Sequence, residues 1–429
     1  MSTLFTQRFK TFSINTSKAR ELSLKHGSLS DKEPLNSKSK ELALKNGMLQ
    51  DKQKNKPPIE RTTQEPPIFP NIININPDFP RSLCDYSTLQ YIDRSTLIDP
   101  EINLYYFNSA ICEYNNIYRL FYRCSKNPKS VSDRIATCLL TTNLKVIPNT
   151  NKYVDAFSDW GESYKAGHTD KPREIIYAYH GKNNDFVPKS YVYKNNEHVE
   201  DPRVVKFNNS WFLCYTDGLA VGVAKLDLDT CDVLYSHFLD APPKQFIPKF
   251  SDGREKNWIM CVDDNRLFVL YSDTPRTFIE YYDTGTKLQQ INVFNENYNV
   301  TWPYGDIRGG CPPVEYDDGI LIWFFHSVKR MNTHIGNNSN VYLIGAYLTE
   351  NTYPFAVQQV LTHPVLMGIP SHVSENLYLQ DNVVYPCGAI SLDSQTFLIS
   401  MGINDYKIAH LEVTKDALRW DDFLITTNS

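Results

Sequence analysis

Glu200-Asp201-Pro202-Arg203 is the most specific chemical signal in the chain. Charged residues that open an apolar strand, here Val204-Val205-Lys206-Phe207, are unusual unless they face a polar cavity. Pro202 forbids helix, and the residue before a proline is pushed toward extended backbone, so Asp201 is expected to enter on an extended strand. A carboxylate delivered this way can move a proton. The competing reading is a strand-edge ion pair with Arg203, and for an isolated Asp201 it would win. Asp201 is not isolated. Asn108-Ser109, Arg123, Glu255-Lys256-Asn257, Asp306-Ile307-Arg308, His326-Ser327 and Asn404-Asp405 place further polar groups beside apolar runs. Gathered in one place, such groups would need mutual satisfaction, and a water-filled cavity that receives a ligand provides it more simply.

A repeat supplies the element that gathers them. Phe107–Ser125, Glu200–Gly218, Lys256–Thr274, Gly309–Val328 and Asn382–Asp405 each read as two short apolar or aromatic strands around a turn. The turn residues are Asn-Asn, Asn-Asn, Asp-Asp-Asn, Asp-Asp-Gly and Leu-Asp-Ser, which is hairpin chemistry. All-β units recurring at roughly 50–90 residues predict a five-bladed β-propeller rather than a sandwich. The innermost strands of a propeller line one axis. Asn108, Asp201, Lys256 and Arg308 from first strands, with Arg123, His326 and Asp405 from second strands, are therefore expected to converge there.

Composition sets limits. The net charge of −5 argues against a general nucleic-acid binder, and the 27 tyrosines suit a strand-rich protein. No run of about 18 apolar residues exists, so no membrane span is expected. The nine cysteines are scattered without metal-ligand spacing, which points to a reducing compartment and to no structural zinc. With no apolar secretory stretch near residue 1, a cytoplasmic location is expected.

Residues 1–60 differ from everything after them. They carry +6 against −11 for the remainder, and no aromatic residue lies between Phe12 and Phe69. Such a segment buries too little surface to offset its ordering entropy, so residues 1–80 are expected to form a disordered or marginally helical basic arm. Ser17–Asn36 repeats as Ser37–Lys56, and a proline-rich spacer then leads into the propeller, residues 81–429. The arm reads as a solvated linker, or else as a tether for a protein partner through residues 1–60.

The order of these motifs resembles a known family. Asn108-Ser109-Ala110 with a following Tyr122-Arg123, then Glu200-Asp201-Pro202-Arg203-Val204, then Lys256-Asn257-Trp258 are the first part of the pattern. Gly309-Gly310-Cys311-Pro312-Pro313-Val314, Phe325-His326-Ser327-Val328, Val383-Val384-Tyr385-Pro386-Cys387-Gly388 and Met401-Gly402-Ile403-Asn404-Asp405 complete it. Over about residues 100–415 the chain is similar to the inverting β-mannoside phosphorylases and β-mannosidases, five-bladed propeller enzymes with related β-mannosyltransferases. Departures exist, since Phe325-His326-Ser327 stands for the family's Tyr-His-Gly and Met401-Gly402 for its Tyr-Gly.

The resemblance implies that Asp201 is the general acid, its proton relayed through a sugar hydroxyl. It implies that Asn108, Ser109, Arg123, Arg203, Lys256 and Asp405 hold the sugar. An oxocarbenium-like centre needs a facing nucleophile. In a phosphorylase that is phosphate, for which Lys256, Arg276, Arg308 and His326 are the available holders. A transferase would use the same cations for a nucleotide-sugar, and a hydrolase would need a base, with Glu255, Asp306 and Glu174 on hand. No metal or other cofactor is called for beyond phosphate or a nucleotide-sugar as co-substrate. The expected ligand is a mannose-containing glycan, with phosphorolysis or transfer ranked above hydrolysis. The alternative from another class is an inactive propeller that binds glycan or protein.

Overall fold

The computed structural model describes residues 82–126, 133–154, 174–180, 186–192, 199–216, 221–239, 256–263, 265–296, 298–333, 336–368 and 381–422. The basic arm with its internal duplication lies outside the described residues. Each of the five repeated hairpins becomes the inner half of one antiparallel blade. Blade 1 is Tyr105–Tyr114, Ile117–Ser125, Arg134–Leu140 and Lys152–Tyr153. Blade 2 is Glu200–Phe207, Ser210–Thr216, Val221–Leu226 and Val233–Phe238. Blade 3 is Ile259–Asp263, Arg266–Asp273, Arg276–Asp283 and Leu288–Asn295.

Blade 4 is the largest. Asp306–Arg308 and Val314–Asp317 both pair with Ile320–Thr333, followed outward by Gly336–Glu350 and Val357–Leu361. Blade 5 holds Val384–Ser391, Thr396–Ile403 and Lys407–Thr414. Its fourth strand comes from far upstream: Gln90 and Tyr91 pair with His410 and Ala409. Strand Trp420–Asp422 adds likewise to the outer edge of blade 4. These two additions tie both ends of the described chain into the sheets. A separate hairpin, Glu174–His180 with Phe186–Val192, falls between blades 1 and 2 in sequence.

The turns carry the predicted chemistry. Asn115 and Asn116, and again Asn208 and Asn209, all have positive φ, the backbone of the tight two-residue hairpin turn that asparagine tolerates. The hydrophobic core is divided among the interfaces between blades. In blade 1, Phe121 and Ile135 pack toward blade 2, while Leu120, Tyr122 and Cys138 pack toward blade 5. Both faces of such a strand are covered, so every residue of Ser210–Thr216 is buried. This explains why the second strands read as continuous apolar runs instead of alternating ones.

Candidate active site

The inner strands do not run straight through the site. Register slips between Phe107 and Ala110, between Glu200 and Arg203, and between Pro386 and Gly388. Each slip is a bulge, which bends a strand and re-aims its side chains. Asn108 has φ 47° and Asp201 φ 58°, so Asp201 is left-handed rather than extended as Pro202 suggested. A uniform two-residue phase along the first strands therefore fails at the residues of interest. The bulge, with asparagine and aspartate tolerating positive φ, decides their direction.

These bulges bring Asn108 and Asp201 together. Asn108 Nδ2 donates to Asp201 Oδ1 at 2.7 Å, and both residues are almost wholly buried. Arg123 reaches the same oxygen through Nη1 at 3.4 Å. That nitrogen also pairs with Glu200, while Nε donates to Asp133 Oδ2 at 2.7 Å and Nη2 pairs with the same carboxylate. Burial opposes the charge of Arg123, but Glu200, Asp133, Asp201 and Asp405 outweigh it and hold the guanidinium more firmly protonated than a free one. Burial pushes the Asp405 carboxyl up to about 6; Arg123 opposes this, and Asp201, Glu200 and Asp133 add to it. Arg123 is thus spent on carboxylates. Ser109 is fully buried and shares a 2.6 Å hydrogen bond with Ser400, so it supports the bulge from inside.

Arg203 does not pair with the Asp201 carboxylate, and the ion-pair alternative fails. Its Nη1 donates to the Asp201 carbonyl at 3.2 Å, Nε to the Gly310 carbonyl at 2.7 Å, and Nη2 to the Gly309 carbonyl at 3.3 Å and Tyr385 Oη at 2.9 Å. With 2% of its surface exposed and all three nitrogens engaged, Arg203 is a hub between blades and not a sugar contact. Tyr385 Oη donates its own hydrogen bond to Asn257 Oδ1. Gly309 lies so close to blade 3 that a Cβ there would come within 1.8 Å of the Asn257 carbonyl. Lys256 and Arg308 precede these two residues in the chain, and both act electrostatically on His326.

The four cations proposed for phosphate part company. Arg276 is wholly buried, with Nη1 on Asp273 at 2.6 Å and on Tyr347 Oη at 3.2 Å, among the rings of Phe278, Trp323 and Tyr347. Its charge is satisfied inside the core, which removes it from the site. His326 is 1% exposed and donates from Nδ1 to the Gly309 carbonyl at 2.9 Å. Burial first, then Arg308, Arg203 and Lys256, push its imidazole well below the usual range, while the Gly309 bond opposes them. His326 is therefore neutral at pH 7. Lys256 is exposed and Arg308 half-buried, and neither side chain has an ion pair or hydrogen bond among the described residues.

Asp133, Glu200, Asn257 and Tyr385 carry this network without having been singled out by role. Tyr385 and Asn257 stand inside quoted motifs, whereas Asp133 offers no local signal. Of the carboxylates on hand for a hydrolase, Asp306 is exposed two residues before Arg308. Glu255 and the side chain of Glu174 lie outside the described residues. No group of three or more metal-ligating side chains is arranged to hold an ion, and no helix is long and apolar enough to cross a membrane, among the described residues.

This is a five-bladed propeller whose inner bulges hold a buried carboxylate, and comparison with known proteins gives its family. Residues 179–420 match the β-1,4-mannooligosaccharide phosphorylase family, glycoside hydrolase family 130, and the chain belongs to it. It is similar to the β-1,2-mannobiose phosphorylase of Thermoanaerobacter sp. (strain X514), 24% identical over 73% of this chain and 91% of that one. A β-1,2-mannobiose phosphorylase of Listeria innocua is 22% identical over 52% of this chain and 60% of its own length. Among solved structures, the GDP-Man-dependent mannosyltransferase MPT-1 of Leishmania mexicana aligns at 13% identity and TM-score 0.43, covering 76% of this chain and 88% of that one.

Proposed function

We propose that this chain cleaves a terminal β-mannoside by phosphorolysis with inversion, Asp201 acting as general acid and Lys256 with Arg308 holding phosphate. The observation that carries this reading is the division of charge. The carboxylates around Asp201 are engaged with Arg123, whereas two cations near His326 have no partner among the described residues. An anion in that place completes them. A phosphate oxygen attacks the anomeric carbon as the glycosidic C–O bond breaks, and the Asp201 proton passes to the leaving oxygen, directly or through a sugar hydroxyl. The products are mannose 1-phosphate and a shortened glycan.

Asn108 steadies the Asp201 carboxylate, and Arg123, anchored by Asp133, keeps its approach fixed. Asp405 lies close enough to this group to share its field and is suited to bond sugar hydroxyls. The relatives act on β-1,2-mannobiose by name and the family description specifies β-1,4 linkages, so both substrates belong in the assay. The nine cysteines, all unpaired and eight of them buried, support a cytoplasmic setting.

Incubation with β-1,2- or β-1,4-mannobiose should release mannose 1-phosphate only when phosphate is present. Free mannose in its absence would establish hydrolysis instead. Release of GDP from GDP-mannose, with no phosphate-dependent cleavage, would establish transfer.

A further inference from the structure

We propose that His326 is a neutral hydrogen-bond acceptor that reads the proton left on the bound phosphate, so that the site takes an oxyanion with a P–O–H and refuses one without it. This rests on the phosphorolysis reading and assigns how its second substrate is recognised.

The polarity of the ring follows from its partner. A backbone carbonyl can only accept, so the 2.9 Å contact with Gly309 places a proton on Nδ1. In a neutral imidazole the other nitrogen, Nε2, then carries a lone pair. The ring cannot easily turn over to exchange the two. It stacks on Tyr342 with 10° between planes and 6.0 Å between centroids, and it lies 4.5 Å from the ring of Tyr385. Nε2 has no hydrogen-bond partner among the described residues. On a residue that is only 1% exposed, an acceptor left this way calls for a donor at the small opening it faces.

The surroundings say which donor. Arg308 and His326 are directly opposite in the ladder between Asp306–Arg308 and Ile320–Thr333, so their side chains leave the sheet on the same face. Lys256 and Arg308 both act on the imidazole electrostatically, and both lack partners of their own among the described residues. An anion is required by the cations and a donor by the nitrogen. Hydrogen phosphate meets both needs in one molecule. With its P–O–H turned to Nε2, its unprotonated oxygens remain for Lys256, Arg308 and the anomeric carbon. The proton stays on phosphate throughout, and the oxygen that attacks is one that carries charge. Sulfate has the same shape and charge but no proton, so it would set an oxygen lone pair against that of Nε2.

The test uses the full chain labelled with 15N in its histidines, titrated with inorganic phosphate and separately with sulfate. The His326 signal, assigned by its loss in His326→Gln, should show a protonated Nδ1 and an unprotonated Nε2 before and after phosphate. Sulfate should compete with phosphate about ten- to a hundredfold more weakly than phosphate binds, the cost of one unmade bond to a charged group. In His326→Gln, whose amide can donate, that gap should narrow to within a few-fold. If this buried substitution fails to fold, the wild-type comparison decides alone. Protonation of both ring nitrogens in the phosphate complex, or equal binding of sulfate, overturns the assignment. A wild type that releases mannose 1-phosphate yet takes sulfate as readily overturns only the histidine. One that never shows phosphate-dependent cleavage overturns the reading beneath it as well.

Discussion

Arg123 meets three carboxylates directly and a fourth through its field, whereas Arg308 and Lys256 have no ion-pair partner among the described residues. The two flanks of one site thus stand in opposite states. Around Arg123 the negative charge exceeds what one guanidinium can neutralise, and each group there is held by another. A cluster of this kind fixes geometry before substrate arrives, and its cost has been met in folding. Under the proposed function, phosphate is the anion that completes the flank of Arg308. The contrast suggests that the Arg123 side positions the acid and the Arg308 side binds what comes and goes. Arg276 with Asp273 shows the third outcome, a cation paired inside an aromatic core, away from both flanks.

The sharpest break in this contrast is Asp201→Asn. Asparagine keeps the hydrogen-bonding shape and cannot supply a proton, so turnover should fall by about 10²–10⁴-fold while melting stays near that of the wild type. Wild-type turnover, measured as mannose 1-phosphate release, would remove Asp201 from the chemistry. Next comes Asp133→Ala, which strips the acceptor from two nitrogens of Arg123. We expect a loss of roughly 3 kcal/mol in urea unfolding, since charged donors are left buried and unmet. Arg308→Ala should do the reverse. Its phosphate KM should rise about ten- to a hundredfold, from loss of a charge-assisted bond, with an unchanged denaturation midpoint. Equal destabilisation by these two substitutions would erase the distinction between the flanks.

The chain made the five hairpins legible because their turns depend on local chemistry. Asn115-Asn116 and Asn208-Asn209 need positive φ, and asparagine advertises it. The order of inner-strand motifs was equally readable, and the convergence of Asn108, Arg123 and Asp201 followed from it. The bulges were not legible. A one-residue slip leaves an apolar run looking the same while it reverses facing, and Pro202 pointed to the wrong backbone region for Asp201. The fate of each arginine was hidden for another reason. Arg203 is satisfied by Gly310 and Tyr385, 107 and 182 positions away, and Arg276 by Tyr347, 71 away. A cation that is free and one that is spent look identical in sequence. Strand Gln90–Tyr91 was likewise too short, at two residues, to announce that it completes blade 5.

Gly402 offers a finer cut. A Cβ there would lie 2.0 Å from Asn108 Oδ1 and 2.6 Å from the Asn108 nitrogen. Gly402→Ala should therefore push Asn108 off Asp201 and lower turnover by about tenfold, the worth of one hydrogen bond to a charged group. Gly388→Ala is the control, because its Cβ would meet the backbone of Ala110 and Ile111 in the same strand, beyond the bulge. It should lower the melting temperature with less change in activity per folded molecule. If the two variants lose activity alike, Asn108 has no special hold on the acid.

The smallest expected effect tests whether the Arg123 flank truly carries surplus negative charge. Burial, and after it Asp201, Glu200 and Asp133, keep the Asp405 carboxyl up at about 6 against the pull of Arg123, above the ordinary aspartate value near 3.9. Because the folded value exceeds the unfolded one, the native state binds more protons between them. The stability tied to Asp405 is then fully present below the unfolded value and is lost as pH rises through about 6. Asp405→Asn removes the charge that becomes costly at high pH. It should raise the melting temperature at pH 7.5 by a few degrees, on the order of 1 kcal/mol, and change it little at pH 4.5. Differential scanning calorimetry at the two pH values decides the matter. A fall in melting temperature at pH 7.5 would mean that Asp405 neutralises charge which Arg123 still has to spare, and the guanidinium could not then be called saturated.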